Sequence, residues 1–478
     1  MTKHLKPLLL TPFILLLPML AFAASAGGGS EELLVLTNSW VGYTSLLIFV
    51  VAYGFVIAEE FTHLRKSKPV ILAAGAIWAM IAFVYAQQGI EHAAEEAVRE
   101  FMVEFGELFL FLLAAMTYVN ALSERRVFEG LRSVLISRGY GFRKLFLITG
   151  VIAFFLSPVI DNLTTALVMC AVVMAVGKGN ARFISLGCIN IVVAANAGGA
   201  FSPFGDITTL MVWQAGLVDF TTFFALFIPS VVNYAVPAAA MYFGVPDEIP
   251  HVQDEAVRIK RGAYTIMFLF FCTIVTAVSF HNFLHLPPFL GMMTGLGYLK
   301  IYGYYLKKTH KPHPLDSEEY GQVGDVGAFD SFRLVQRAEW DTLLFFFGVI
   351  MCVGGLGFIG YLAQASQWMY VDLGPTIANS LVGVLSAIVD NIPVMVAVLQ
   401  MNPHMNEQQW LLVTLTAGVG GSMLSIGSAA GVALMGQARG MYTFFGHLKW
   451  TPVIAAGYVL SIIVHMLING QYAEIYHN

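Results

Sequence analysis

Apolar residues fall along the chain in runs of about 20, the length an α-helix needs to cross the hydrocarbon core of a bilayer. Such runs lie near residues 39–58, 69–87, 101–122, 183–216, 220–244, 262–281, 287–306, 340–362, 409–437 and 450–469. Two further apolar stretches, 144–177 and 375–400, are each interrupted at their centres, the first by Ser157-Pro-Val-Ile-Asp161-Asn162 and the second by Ser386-Ala-Ile-Val-Asp390-Asn391-Ile-Pro393. Backbone that leaves the helix at membrane depth is tolerated only where protein buries it or where it lines a cavity. Each interrupted stretch therefore reads as a re-entrant hairpin that returns to the face it came from. The predicted fold class is an all-α polytopic membrane protein.

The basic residues test this path. With the chain starting outside and both interrupted stretches folded back, one face collects Arg65, Lys66, Lys68, Arg125, Arg126, Arg132, Arg138, Arg143, Lys144, Lys178, Arg182, Arg258, Lys260, Arg261, Lys300, Lys307, Lys308, Lys311, Arg333, Arg337, Arg439 and Lys449. Only Arg99 falls on the other face. Reading either hairpin as a full crossing would move every later loop to the wrong side. Residues 1–26 carry Lys3 and Lys6, an apolar run from Leu8 to Phe22 and small residues at Ala23 to Ala26, the layout of a signal peptide or, failing cleavage, a first membrane helix. Either way the residues that follow are expected to start outside.

A search for self-similarity exposes three paired blocks in the same order. Glu107-Leu-Phe-Leu-Phe matches Asp341-Thr-Leu-Leu-Phe, the Asp161-Asn162 block matches the Asp390-Asn391 block, and Gly198-Gly199 with Gly205-Asp206 matches Gly420-Gly421 with Gly427-Ser428. An odd number of crossings separates the copies, so the second is predicted to be inverted. The expected organisation is N-terminal membrane helices over 27–105, a first inverted repeat over 106–244 with its hairpin at 144–177, two connecting helices over 245–308, a polar cytoplasmic linker over 309–338, and a second repeat over 339–470 with its hairpin at 375–400. Each repeat pairs a re-entrant hairpin with a broken transmembrane helix, a pattern that places a transport site near the middle of the membrane where half-helices meet.

Composition agrees: 58% of residues are hydrophobic and 12% charged, and the mean hydropathy is +0.73. A net charge of −5 gives no basic footprint for nucleic acid. The four cysteines, Cys170, Cys188, Cys272 and Cys352, lie singly in apolar runs without the spacing of a metal site or a disulfide framework.

An ionisable side chain in the hydrocarbon region costs about 2.5–3.5 kcal/mol on insertion scales, which makes function its default explanation. Asp161, Asp206 and Asp390 qualify, and a small cation is expected at these three. The opposing reading is that they cap half-helices, as Asp does well. Around them stand oxygen-bearing residues suited to a hard cation: Asn162, Thr164, Thr165 and Asn391 beside the carboxylates, with Ser157, Asn196, Ser202, Thr208, Thr209, Ser386, Ser422, Ser425 and Ser428 in support. Some of these hydroxyls are expected to bond their own helix backbone instead. No Lys or Arg lies in the broken segments, so a small cation suits them better than an anion. A desolvated carboxyl holds a proton more firmly than one in water, and a proton and a metal ion competing for the same oxygens suffice for antiport. Glu107 and Asp341 are expected to open their helices, where a negative charge suits the macrodipole. His465 reads as a packed core histidine, and Glu91, Glu95, Glu96, Glu100 and Glu104 as a solvated helix face.

The blocks SPVIDNLTTALVM (157–169), NAGGAFSPFGDITTLMVWQAG (196–216), EWDTLLFFFGVIMCVGGLGFIG (339–360) and SAIVDNIPVMVAV (386–398) resemble the NhaD-type sodium/proton antiporters of the ion-transporter superfamily, and the resemblance extends from about Val41 to Tyr472. It implies exchange of Na+ or Li+ for H+ without a cofactor, a homodimer in the lipid bilayer, and an elevator-like cycle in which a moving unit carries both hairpins. Relatives that move dicarboxylates or arsenite keep a second reading open. In the dicarboxylate branch the hairpin tips resemble Ser-Asn-Thr, whereas Asp161-Asn162 and Asp390-Asn391 stand here. A third reading, an intramembrane aspartyl protease, needs two carboxyls sharing one proton.

Overall fold

The computed structural model describes residues 34–62, 64–177, 180–249, 257–309 and 329–476. The expected signal peptide, most of the linker, Lys178 and Lys311 lie outside the described residues. Within them the chain is helical, and the only β-type pairing is an isolated bridge between Asn406 and Tyr476.

Four helices open the fold: α1 (Trp40–Ile57), α2 (Ser67–Gln87), α3 (Glu91–Glu124) and the short amphipathic α4 (Val127–Ser137). The first interrupted stretch forms α5 (Phe142–Ile160) and α6 (Asn162–Val176), followed by α7 (Ala181–Gly199), α8 (Ile207–Gln214) and α9 (Phe227–Tyr242). The second half begins with α10 (Ala263–Leu284), α11 (Pro288–Lys308) and α12 (Trp340–Phe358). It continues with the second interrupted stretch, α13 (Pro375–Ser386) and α14 (Asn391–Met401), and ends with α15 (Glu407–Gly420), α16 (Ala429–Gln437) and α17 (Thr451–Ile468).

Nine of the described helices are long and apolar enough to span a membrane. One of them is Phe142–Ile160, so length and composition alone do not separate a hairpin arm from a crossing. Contacts do. Phe142 N donates to Glu248 O at 2.9 Å, and Asn180 Nδ2 donates to Glu248 Oε2 at 3.2 Å, so the chain enters α5 and leaves α6 beside the same residue. In the second hairpin Gln409 Nε2, at the start of α15, donates to Thr376 Oγ1 at the start of α13 (2.9 Å), and only residues 402–406 separate the end of α14 from α15.

Helix α9 fixes the relation between the two. Its C-terminal end leads into the 245–248 segment that holds the base of the first hairpin, where Arg143 Nη1 pairs with Asp247 at 2.9 Å. At its N-terminal end Ala225 O accepts from Asn469 Nδ2 (3.0 Å), next to the 473–475 segment that Asn406 and Glu407 bind at the base of the second hairpin. The hairpins therefore enter from opposite ends of the molecule and their tips approach in the middle.

The breaks follow from local chemistry. In α5 Pro158 removes a backbone donor, and Asp161 takes φ +68°, which ends the helix. In the second hairpin Pro393 lies in the first turn of α14, where no intrahelical donor is needed. The expected breaks in α7–α8 and α15–α16 fall at the paired glycines: a Cβ on Gly199 would meet Gly205 O at 2.6 Å, and one on Gly421 would meet Gly427 O at 2.6 Å. Each hairpin is tied to its neighbour in the same way, Ser157 Oγ donating to Ala195 O (2.6 Å) and Ser386 Oγ to Ala417 O (2.7 Å).

Helices α7 and α15 are almost wholly buried and form the centre. By contrast, α1, α10 and α17 turn large apolar residues such as Leu47, Val51, Phe268, Phe271 and Leu467 outward, as lipid contact requires. One expectation is corrected: Glu107 does not open a helix, because α3 starts at Glu91 and carries Glu107 within its length, whereas Asp341 does lie in the first turn of α12. His465 is buried between Gln408 O (3.0 Å) and Asn469 (2.9 Å), a satisfied core histidine.

Close backbone approach at the glycines gives a test. Gly198→Val or Gly420→Val, each driving a side chain into the backbone of the facing hairpin arm, should cost about 1–3 kcal/mol, read as a lowered thermal midpoint in detergent. Gly75→Ala, at an exposed helical position with open space around it, should be neutral or slightly stabilising.

Candidate functional site

The two hairpin tips and the break after α7 converge on one carboxylate. Asp206 is the N-cap of α8, its Oδ1 accepting from Thr208 N at 3.1 Å. Its Oδ2 accepts from Asn162 Nδ2 of the first tip at 2.8 Å and from Asn391 Nδ2 of the second at 3.0 Å. The cluster continues through Asn196, whose Oδ1 accepts from Asn162 Nδ2 (3.1 Å) and whose Nδ2 donates to Ser428 Oγ (3.1 Å). Ser428 in turn caps α16 through Gly431 N. Asp206, Asn162, Asn196, Asn391 and Ser428 are all buried, Asp206 with 3% of its surface exposed. Four broken elements thus meet around a single anion, compensated by amide and backbone donors rather than by a cation.

The other two aspartates take different roles. Asp161 caps α6 with both oxygens, accepting from Thr164 N (2.7 Å) and Thr164 Oγ1 (2.8 Å). Asp390 does not cap α14. Its Oδ2 stands 3.4 Å from Lys66 Nζ, and its Oδ1 is buried without a hydrogen-bond partner. The expectation that no basic residue lies in the broken segments holds at the breaks, Arg143 and Lys144 standing at the far end of α5, but Lys66, read from the sequence as a loop charge, arrives from the turn before α2. Among the described residues no three of the His, Cys, Asp and Glu side chains are placed to hold a metal ion together. The geometry is that of one central carboxylate with two flanking ones.

Several supporting hydroxyls are structural. Ser157 and Ser386 tie the hairpins down, Ser202 Oγ donates to Pro158 O (2.9 Å), Thr209 Oγ1 to Ser202 O (2.8 Å), and Ser422 Oγ, just past the end of α15, to Val419 O in its last turn (2.6 Å). Thr165 Oγ1 and Ser425 Oγ, on the first hairpin and in the α15–α16 break, are buried without hydrogen-bond partners. These are oxygens for which the fold itself offers no use.

A cavity of 320 Å³ enters from one face and reaches Asp390, next in sequence to Asn391 of the cluster. It is lined by Tyr53, Glu59, Arg65 and Lys66 from the α1–α2 corner, by Glu339 and Asp341 at the start of α12, by Leu163 on α6, by Asp390 and by Ala429 and Val432 on α16. Ser67 Oγ donates to Asp341 at its edge. This is the face on which the sequence analysis places Arg65 and Lys66, the expected cytoplasmic one. A second cavity, of 630 Å³ and lined by Glu107, Gln214, Asp219, His281 and His285, lies at the other face.

Removing one amide donor from a buried carboxylate leaves charge uncompensated, at a cost of about 1–3 kcal/mol. Asn391→Ala should therefore lower the thermal midpoint in detergent, and Asn391→Ala combined with Asp206→Asn should recover part of the loss, because the charge that needed the amide is gone.

A family model described as citrate transporter matches residues 33–418. Over 468 residues the chain is 58% identical to a protein named Na(+)/H(+) antiporter NhaD from Alkalimonas amylolytica, covering 96% of this chain and 97% of that one. It is 54% identical over 475 residues to a protein of the same name from Halomonas elongata, covering 97% and 96%. A more distant similarity, 30% identity over 477 residues, joins it to Sodium/proton antiporter 1 of Arabidopsis thaliana, covering 95% and 78%.

Proposed function

The chain belongs to the citrate transporter family and, within it, to the NhaD sodium/proton antiporters, and we propose that it exchanges cytoplasmic Na+ or Li+ for external protons at Asp206 by alternating access. The observation that carries this reading is the single buried carboxylate where both hairpin tips meet. An Asn side chain has a donor at one end of its amide and an acceptor at the other. Without a cation, Asn162 and Asn391 turn their amide hydrogens to the Asp206 anion. A half-rotation of either amide brings its carbonyl oxygen to the same place, replacing a donor to the carboxylate with a ligand for a cation. Thr165 and Ser425 offer further oxygens on the same broken segments.

Proton and cation then exclude each other. A protonated Asp206 is neutral and donates to a neighbouring acceptor; an ionised one attracts Na+. Transport of one or the other through a site open to one face at a time yields exchange. The matched ties at Ser157 and Ser386, the matched glycine breaks and the opposed hairpins support a pair of inverted repeats whose hairpin-bearing unit moves against the remaining helices. The cavity at Lys66 and Asp390 is the cytoplasmic vestibule of the inward-open form. The working unit is a homodimer in the inner membrane, as the resemblance implies, with the mature N-terminus periplasmic.

Citrate, named by the family model, fits this site poorly. A carboxylate substrate would face Asp206 with amide donors already spent on that residue and no Lys or Arg beside it. A protease is also disfavoured, since Asp161 caps its own helix and Asp390 pairs with Lys66 rather than the two sharing a proton.

In everted vesicles with a respiration-generated proton gradient, Na+ or Li+ should dissipate the gradient and citrate should not. Because protons compete with Na+, the half-saturating Na+ concentration should fall as pH rises toward 9. Asp206→Asn should abolish the response while the chain still reaches the membrane. A retained Na+ response in Asp206→Asn would move the site elsewhere.

A further inference from the structure

The antiport reading leaves unexplained why one tip aspartate, Asp390, faces the cytoplasmic cavity with a lysine beside it while its sequence neighbour Asn391 faces Asp206. The Lys66 ammonium is 3.4 Å from Asp390 Oδ2, longer than the 2.7–2.9 Å of a strong charge-assisted hydrogen bond. The other oxygen of the carboxylate has no hydrogen-bond partner though it is buried. Lys66 also stands 4.5 Å from the centre of the Phe345 ring, a second station for its charge on α12. Within the cavity wall Asp390, Asp341, Glu59 and Glu339 outnumber Arg65 and Lys66, so the vestibule favours cations as a whole.

From this arrangement we infer that Lys66 is an internal competitor for the transported cation: its ammonium occupies the cation position at Asp390 in the inward-open form, and an ion arriving from the cytoplasm must displace it. The inference rests on the antiport reading and deepens it. Asp390 becomes a waiting position one residue removed from the Asp206 site, and Lys66 sets how readily it fills. The displaced ammonium stays over Phe345 and returns when the ion moves on, so the tip carboxylate is never left as a bare charge in the protein interior. Lys66 is a positioning residue, acting on the ion through Asp390.

The test uses the full chain in everted vesicles, whose outer surface is the cytoplasmic one. Lys66→Gln should lower the half-saturating Na+ and Li+ concentrations by roughly fivefold, the order expected when a partly exposed ion pair stops competing, and Lys66→Arg should keep them near the parent value. Lys66→Cys should behave like Lys66→Gln, return to the parent value after treatment with 2-aminoethyl methanethiosulfonate, which restores a positive charge, and stay shifted after the uncharged methyl reagent. The parent chain treated in parallel controls for its four native cysteines. An unchanged or raised half-saturating concentration in both Lys66→Gln and Lys66→Cys overturns the inference, as does an equal effect of the two reagents. If Lys66→Gln fails to reach the membrane, the two reagents on Lys66→Cys decide. A parent chain that ignores Na+ altogether sinks the antiport reading itself, whereas a responsive parent with indifferent Lys66 variants sinks only the role of the lysine.

Discussion

A carboxylate cannot be buried in an apolar protein interior without donors that hold its charge, and the rest of this fold is arranged so that Asp206 has them. Two come from the tips of hairpins that enter from opposite ends of the molecule, and a third is the backbone amide at the start of α8. The backbone amide is free only because α8 starts there, since a continuous helix spends its backbone amides on itself, and the two side-chain amides reach Asp206 because the broken hairpins set their tips beside it. The breaks at Asp161, at Asp390 and at the two paired glycines are therefore the condition for having a site at all. The same breaks free the carbonyls and hydroxyls that a cation requires, and the Ser157 and Ser386 ties hold the broken ends in place.

The two halves share a plan but not a chemistry. Asp206 in one corresponds to Ser428 in the other, and both cap the second half of a broken helix; one brings charge and the other only a hydroxyl. The Asp161 and Asp390 tips differ likewise. Asp161 accepts from Thr164 with both oxygens, while the second tip has Ile392 and Pro393 after its Asp-Asn pair where the first has Leu163 and Thr164, so that Asp390 makes no bond to its own helix and reaches Lys66. A single Thr thus separates a structural cap from a group facing the vestibule.

Access follows from the same asymmetry. One cavity ends at Asp390 and carries acidic residues and two basic ones, while the other, at the opposite face, is lined by Glu107, Asp219 and two histidines and does not include either tip. The first cavity thus brings the face marked by the basic loops as far as Asp390, the neighbour of Asn391, which holds Asp206.

The sequence by itself determined the membrane class, the two hairpins and the four breaks, because these depend on local terms: apolar run length, and Pro, Gly and Asp at positions where a helix cannot continue. It also singled out Asp206, Asn162 and Asn391, since polar groups at membrane depth are costly and few, and the fold brings the three into hydrogen-bond contact. Which of three aspartates sits at the centre was decided by tertiary structure alone, for Asp161 and Asp206 are both helix caps and look alike until the second oxygen of Asp206 is seen to accept from both hairpin tips. Lys66 was legible only as a topological charge. Its contact with Asp390 joins residues 324 positions apart, and no periodicity or motif encodes a pairing at that separation; only the packing of the α1–α2 corner against α12 and the second hairpin brings the two charges together.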